Sequence, residues 1–494
     1  MSTIGATETQ IRTYGNWRHP RLAGLGKLSF FQTMALLALL IVSILVYGSL
    51  GLAHAAVLLL SGLSVLGAME IRDAHGVSVW DKLVERVSFA RRRRTRRTVY
   101  RSGPIGVVPG GRARLPGLLS GSRISEHVDS YDRPFALIHH GNAHVSVIMG
   151  VAPSGIALVD QERIDQQAAH WGAWLADLGS EIGIVQASVC VETVPDTGGA
   201  LERQVNARLD TNAPAIALNV VREAVSQYRA GAAQLRCTVT LTFDTKRMSV
   251  KKRSTDQVAR EIGTRLPYLT HSLEASGTGP AHLLTAADVT RLVRVAYDPA
   301  SEPIFEEATA AGQEVELDWE DAGPVGAHTS FDSFRHDSGL SRTWLMTKAP
   351  TGVVQSGVLS KLLSISRDVE RKRVTLLLRP IDAAMTGDIV ERDMTTAAAA
   401  AGMSKKVTAR AAREVAIARK NAQEEASGAG LVDFTVLVTA TVTGDDLDDT
   451  AAAITSLASA SKLRIRPAYG AQDSAFALAL PLGVVPSWQK VWSI

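Results

Sequence analysis

The chain has 494 residues, 46% hydrophobic and 21% charged, with a formal net charge of +4. That length suits roughly two to four domains, and that composition excludes a disordered chain. Residues 1–101 carry 14 Lys and Arg against five acids, a net of +9, so the remainder stands at −5 and does not offer the basic folded face that nucleic-acid binding requires.

No residue from 28 to 69 is charged. A bilayer core of about 30 Å takes about 20 helical residues, so this run fits two spans better than one. The expected spans are residues 30–47 and 52–69, with a turn inside "YGSLGLAHA" and with Tyr47 and His54 at the interface. The run is too long for the apolar region of a signal peptide. Gly62 and Gly67, with Ser61 and Ser64, offer small surfaces for packing within the hairpin or for self-association.

Both flanks are basic: Arg12, Arg18, Arg21 and Lys27 come before, and a dense arginine run follows. Positive charge beside spans stays cytoplasmic, which puts both termini on the inner side. Arg91, Arg92, Arg93, Arg94, Arg96 and Arg97 are read as orienting the chain and meeting anionic headgroups, ahead of any nucleic-acid contact. They end the segment "HGVSVWDKLVERVSFARRRR", whose apolar residues recur at helical spacing and predict an amphipathic helix leaving the membrane.

Residues 102–129 are rich in Gly and Pro and read as a linker. A first cytosolic α+β domain is expected over 130–298. It opens with a β-hairpin around Gly141-Asn142, then a helix bearing Trp171 and Trp174, then alternating strands and helices. His139, His140 and His144 crowd the hairpin, but neighbouring side chains on a strand diverge, so a polar tip is expected rather than a metal site. Cys190 and Cys237 lie in apolar strand-like runs and are expected as buried free thiols. Residues 299–337 form an acidic connector whose Asp318, Glu320 and Asp321 are expected to be solvated.

The second domain, 338–494, has strand-like runs at "SRTWLMTKA" and "RKRVTLLLRPI", an Ala-rich helical stretch over 389–426 broken near Gly402, and a strand "DFTVLVTATVT". A helix follows "GDDLDDT", then the strands "LRIRPAYG" and "SAFALALPLG". The fold class is thus a membrane-anchored α+β protein: a two-helix transmembrane hairpin and a body of mixed sheets and helices, read as two related modules without a fixed-period repeat.

Catalytic motifs are absent from the sequence. The nearest approach to a phosphate-binding loop, "RLAGLGKLS", has Arg21 for the first glycine and Leu28 for the Ser/Thr. Arg335, His336, Asp337, Ser338 and Ser341 compose a hydrolase site on paper only, since such sites are defined by geometry. No catalytic, cofactor-binding or metal-ligating residue is assigned, and the chain is read as a non-enzyme.

The motifs "WGAWLADLG", "VCVETVPD", "DWEDAGPVG", "RHDSGLSRTWLM" and "YGAQDSAFALALPLG", in that order, resemble an actinobacterial family of integral membrane proteins associated with conjugation-type secretion ATPases. The lead-in "RTYGNWRHPRLAGLGKLSFFQ" and the two-span hairpin are similar to PrgI-like inner-membrane subunits of type IV secretion systems. The body resembles the non-catalytic N-terminal domain of VirB-type transfer ATPases, in which a strand like "AFALALPLG" precedes the nucleotide-binding domain; here the sequence stops soon after, at Ile494. The resemblance implies a docking module whose motor is a separate transfer ATPase, with membrane lipids, channel subunits and further copies of the chain as partners. A competing resemblance is to EccE-like components of type VII secretion, and a membrane-tethered hydrolase using residues 335–341 is the alternative from another class.

Overall fold

The computed structural model describes residues 13–14, 30–69, 71–102, 114–155, 159–196, 205–210, 213–229, 233–248, 254–313, 315–350, 354–402 and 409–486. The basic residues of the N-terminal flank and most of the PrgI-like lead-in lie outside them, as does the centre of the Gly/Pro-rich stretch.

A short strand β1 (Thr13–Tyr14) comes first, then helices α1 (Phe30–Leu50), α2 (Leu52–Met69) and α3 (Val79–Arg94). The body follows as β2 (Val99–Arg101), β3 (Arg123–Val128), β4 (Pro134–His139), β5 (His144–Val151), α4 (Gln161–Ser180), β6 (Ile184–Pro195), α5 (Ala215–Arg229), β7 (Ala233–Asp244), α6 (Thr255–Leu273), β8 (Ala281–Leu283) and α7 (Ala286–Tyr297). Next come α8 (Glu302–Ala310), β9 (Gly326–Thr329), β10 (Phe334–His336), β11 (Gly339–Lys348), β12 (Val354–Gln355), α9 (Ser360–Leu363), β13 (Arg371–Pro380), α10 (Ala383–Gly402) and α11 (Ala409–Ala426). The chain closes with β14 (Val432–Val442), α12 (Asp448–Ala460), β15 (Arg464–Pro467) and α13 (Gln472–Ala479).

Apart from the β1–β12 pair, these strands form one 13-stranded sheet in the order β2-β9-β10-β11-β14-β13-β6-β7-β5-β4-β3, with β15 and β8 pairing on β11 and β5. Every described pairing in it is antiparallel. The fold is mixed, with a large antiparallel sheet. The sheet runs without a break across the boundary expected between two domains, because β6 and β13 pair from Lys372↔Thr193 to Leu378↔Ala187.

The two halves repeat one order of elements. In each, a hairpin (β4–β5, β10–β11) is followed by a helix, one strand of the central pair (β6, β13), helix, a strand inserted between that strand and the hairpin (β7, β14), helix, a short strand off the main path (β8, β15) and a last helix (α7, α13). The equivalent strands β6 and β13 lie antiparallel at the centre, with Cys190 opposite Thr375, as a twofold relation between the halves requires.

Strand alternation sorts the core. On one face Val147, Met149, Val239 and Leu241 pack against Trp174 and Leu178 of α4 and Ile262 and Leu266 of α6. The same face in the second half joins Trp344, Val374, Val436 and Val438 to Leu362 of α9 and Ile454 of α12. The opposite face is covered by α7 and α13, with Ile148, Val289, Val293, Tyr297 and Phe476 at its centre.

That second face is largely polar although buried: Ser146, Gln186, Thr240, Thr242, Thr343, Thr375 and Thr439 lie on it. Their hydroxyls and amide hold the segment after α13. Thr375 Oγ1 donates to Ala479 O (2.6 Å), Thr240 Oγ1 to Pro481 O (2.8 Å), Ser146 Oγ to Leu482 O (2.6 Å) and Thr242 Oγ1 to Gly483 O (2.9 Å). Gln186 Nε2 donates to Val484 O at 3.0 Å. The expected closing strand "SAFALALPLG" is therefore a helix to Ala479 and then a strap across the strands, satisfied by side chains instead of a ladder.

Two further stretches differ from expectation. The linker region holds β3, which pairs with β4 along its whole length. The acidic connector holds α8, β9 and β10, and its Glu302 is buried against Arg371 and Arg236.

Candidate functional site

The candidate site is the apolar helical pair with the basic helix behind it. α1 continues to Leu50, three residues past the expected end, and the turn is Gly51 alone, whose φ of +86° is the left-handed region glycine tolerates best. Its N–H donates to Tyr47 O at 3.2 Å. The helices lie antiparallel: Leu39 on α1 meets Gly62 on α2, each about equally far from the turn, and a Cβ at Gly62 would overlap the Leu39 side chain. Gly67 faces open space, so of the two small residues only Gly62 seats the pair.

Around α1 and α2 large apolar side chains are exposed on all sides, among them Met34, Leu37, Ile41, Ile44, Leu45, Leu52, Val57 and Leu60. A soluble surface rarely carries so large a contiguous apolar patch. α1 is long and apolar enough to cross a membrane, with mean hydropathy 2.3 over Thr33–Leu50, while the apolar stretch of α2, Leu52–Ala68, is shorter.

The chain turns back at once beyond α2. Asp73 caps the turn, accepting from His75 N and Val77 N and pairing with Lys82 at 2.8 Å. Burial works against its charge, but Lys82 and the two amides outweigh that and hold the carboxyl at about 2. Val79 N donates to Ile71 O at 3.2 Å, so α3 starts beside the end of α2. A capping box between Ser78 and Asp81 fixes that start. The helix ends at Arg94, and Arg96, with a φ of +53°, lies in the turn that leads the chain into β2 on the sheet edge.

One side of α3 is docked on the second half of the body. Both Glu85 carboxylate oxygens accept from Arg466 of β15 at 2.7 Å. Burial disfavours the Arg466 charge, and Glu85 overcomes this, raising its pKa. Arg466 also lies 4.8 Å over the Tyr469 ring, which stacks on Phe331, and Phe331 meets Phe89 of α3 edge-on. Arg92 donates to Gly470 O at 2.9 Å and pairs with Asp473.

The six predicted arginines therefore divide. Arg92 is half-buried and braces the body, while Arg91, Arg93, Arg94, Arg96 and Arg97 are exposed. Glu85, Arg466 and Asp473, which fix the collar to the body, were not singled out from sequence; the i, i+4 and i, i+7 spacing of Glu85, Phe89 and Arg92 was the available signal.

Of the five residues of the paper hydrolase site, the structure brings His336 and Ser341 into contact and gives Arg335, Asp337 and Ser338 other partners. His336 is fully buried; its Nδ1 meets the Tyr297 carbonyl (2.6 Å) and its Nε2 the Ser341 hydroxyl (2.8 Å). Burial pushes its pKa down to about 4. Ser341 is equally buried and bonds Thr441, Asp337 accepts from the Val325 and Gly326 amides, Ser338 is tied to Asp298, and Arg335 pairs with Asp445. His140 and Ser146 make the same His–Ser contact (3.0 Å) at the equivalent place in the first half.

His139 turns to Ser125, so the three hairpin histidines are not brought together. Among the described residues no group of three His, Cys, Asp or Glu could hold a metal ion. Cys190 and Cys237 are free, and burial raises both thiols, Cys190 to about 12.

A family model described as a domain of unknown function (DUF8461) matches residues 21–81. The match covers α1, α2 and the first turn of α3. No curated protein matches the chain.

Proposed function

We propose that this protein is a non-catalytic, two-span membrane component of a type IV secretion or conjugation-like apparatus, which presents its body to a separately encoded transfer ATPase at the cytoplasmic face. The observation that carries the membrane part is the uncovered apolar surface of α1 and α2. A bilayer is the environment that removes such a surface from water. α2 is short for a perpendicular span, a mismatch that local thinning and flanking residues accommodate at small cost.

The exposed Arg91, Arg93, Arg94, Arg96 and Arg97 favour an inner-side body by the positive-inside tendency. The body's repeated element order supports two related modules joined about the β6–β13 seam. A scaffold role fits the Ser–His contacts, which recur in both halves and tie together the two arms of each hairpin. Channel subunits and further copies of the chain are the remaining proposed partners, with no cofactor.

The test is affinity purification of the full-length protein from native membranes. Recovery of a separate secretion ATPase, reduced when the body is deleted behind residue 101, is the expected result. Recovery of a type VII assembly instead would move the chain to the EccE-like alternative.

A further inference from the structure

The docked side of α3 leaves its other side without a partner among the described residues. Val79, Trp80, Leu83, Val84 and Val87 are each between 45% and 59% exposed. At about 100° per residue they share an arc of about 140°, and Arg91 and Arg94 continue the same arc. Glu85, Phe89 and Arg92 occupy the opposite side. An apolar stripe running into arginines, on a helix whose first residue is bonded beside the end of α2, is placed where a bilayer surface would be.

We propose that α3 is an interfacial helix: its Val79–Trp80–Leu83–Val84–Val87 face beds into the headgroup boundary of an anionic bilayer, and Arg91 and Arg94 hold lipid phosphates. This rests on the membrane reading of α1 and α2 and deepens it. Because Glu85 and Arg92 lock the other side of α3 to β15 and α13, the helix fixes the body's height and tilt against the membrane. A second copy of the chain stacked in parallel on this face would oppose arginines to arginines.

The test uses the full-length protein in vesicles of phosphatidylcholine with phosphatidylglycerol, on a Cys237→Ala background in which Cys190 is buried. An environment-sensitive fluorophore is placed in turn on Val84→Cys, Val87→Cys and, as the membrane control, Ile44→Cys. Shallow acyl-chain spin labels should quench the first two about twofold or more, as expected for a helix about 5–10 Å into the boundary. Arg91→Gln and Arg94→Gln should each weaken that contact about fivefold. Quenching at Ile44 without quenching at Val84 and Val87 overturns the proposal and leaves the anchor standing. No quenching at any of the three overturns the membrane reading and the proposal with it. Lipid-independent shielding at Val84 that disappears on dilution in detergent overturns it in favour of a second copy.

Discussion

Replacing Glu85 by alanine should release α3 from the body. Glu85 is the one described ion-pair partner of Arg466, with Asp73 acting on its charge from further off, and the Glu85 and Arg466 side chains are 22% and 7% exposed. Stranding a fully buried partner costs about 3–5 kcal/mol. Here the partial exposure of Glu85 and the stacking of Arg466 on Tyr469, worth about 1 kcal/mol, reduce this. A net loss of about 2 kcal/mol in the docking equilibrium is expected, which is roughly a 30-fold rise in the undocked population. Trypsin reports that population, because the arginines of a docked helix are protected by their backbone geometry and those of an undocked one are not; under fast opening and closing, cleavage tracks the open fraction. The Glu85→Ala protein in detergent should be cut between residues 91 and 97 about 30 times faster than the parent. An Arg466→Met change added to Glu85→Ala should recover part of the protection by removing the stranded charge. Cleavage within about twofold of the parent would refute the docking of α3.

Other residues carry separate expectations. Gly62→Leu should weaken the α1–α2 pair by about 1–3 kcal/mol through overpacking on Leu39, whereas Gly67→Leu, facing open space, should be neutral; denaturation in mixed micelles compares them. His336, held at about 4 in the fold against about 6.5 unfolded, gains its proton only when the body opens. His336 should therefore cost the body about 3 kcal/mol of stability as the pH falls from about 6.5 to about 4, with His140, also held at about 4 by burial, adding to the loss, and a His336→Gln variant should show a flatter profile in pH-dependent unfolding. Gly483→Ala should destabilise by roughly 2 kcal/mol or more, because the residue has a φ of +74° and a Cβ there would overlap Thr242 and Ser146 beneath the strap; a melting point within a degree or so of the parent would contradict that packing.

The long central strands were legible because β7 alternates Val or Leu with Thr and because β6, β13 and β14 are rich in Val, Leu and Thr. That pattern predicts a half-solvated sheet, and here it misleads about the second face. The Thr side is buried because the strap's carbonyls need donors that a crossing segment cannot obtain from strand ladders. "AFALAL" was read as a strand since a short apolar run has no period to separate helix from strand. β3 was hidden in the linker by its polar letters, RISEHV, which suit an edge. Six arginines look alike in one dimension, and Arg92 is set apart by Gly470 O and Asp473, 378 and 381 residues away. The shared element order of the halves left no fixed-length repeat, since α5 in one half answers to the longer α10 and α11 in the other.

The claim on which the account turns is that the apolar pair crosses the bilayer twice and leaves the body inside the cell. The direct measurement is accessibility of single cysteines in intact cells, one at Leu50→Cys beside the turn and one at Ile216→Cys on exposed α5, with a membrane-impermeant maleimide. The account predicts labelling at position 50 and none at position 216 until the cells are opened. Labelling at position 216 in intact cells would contradict it.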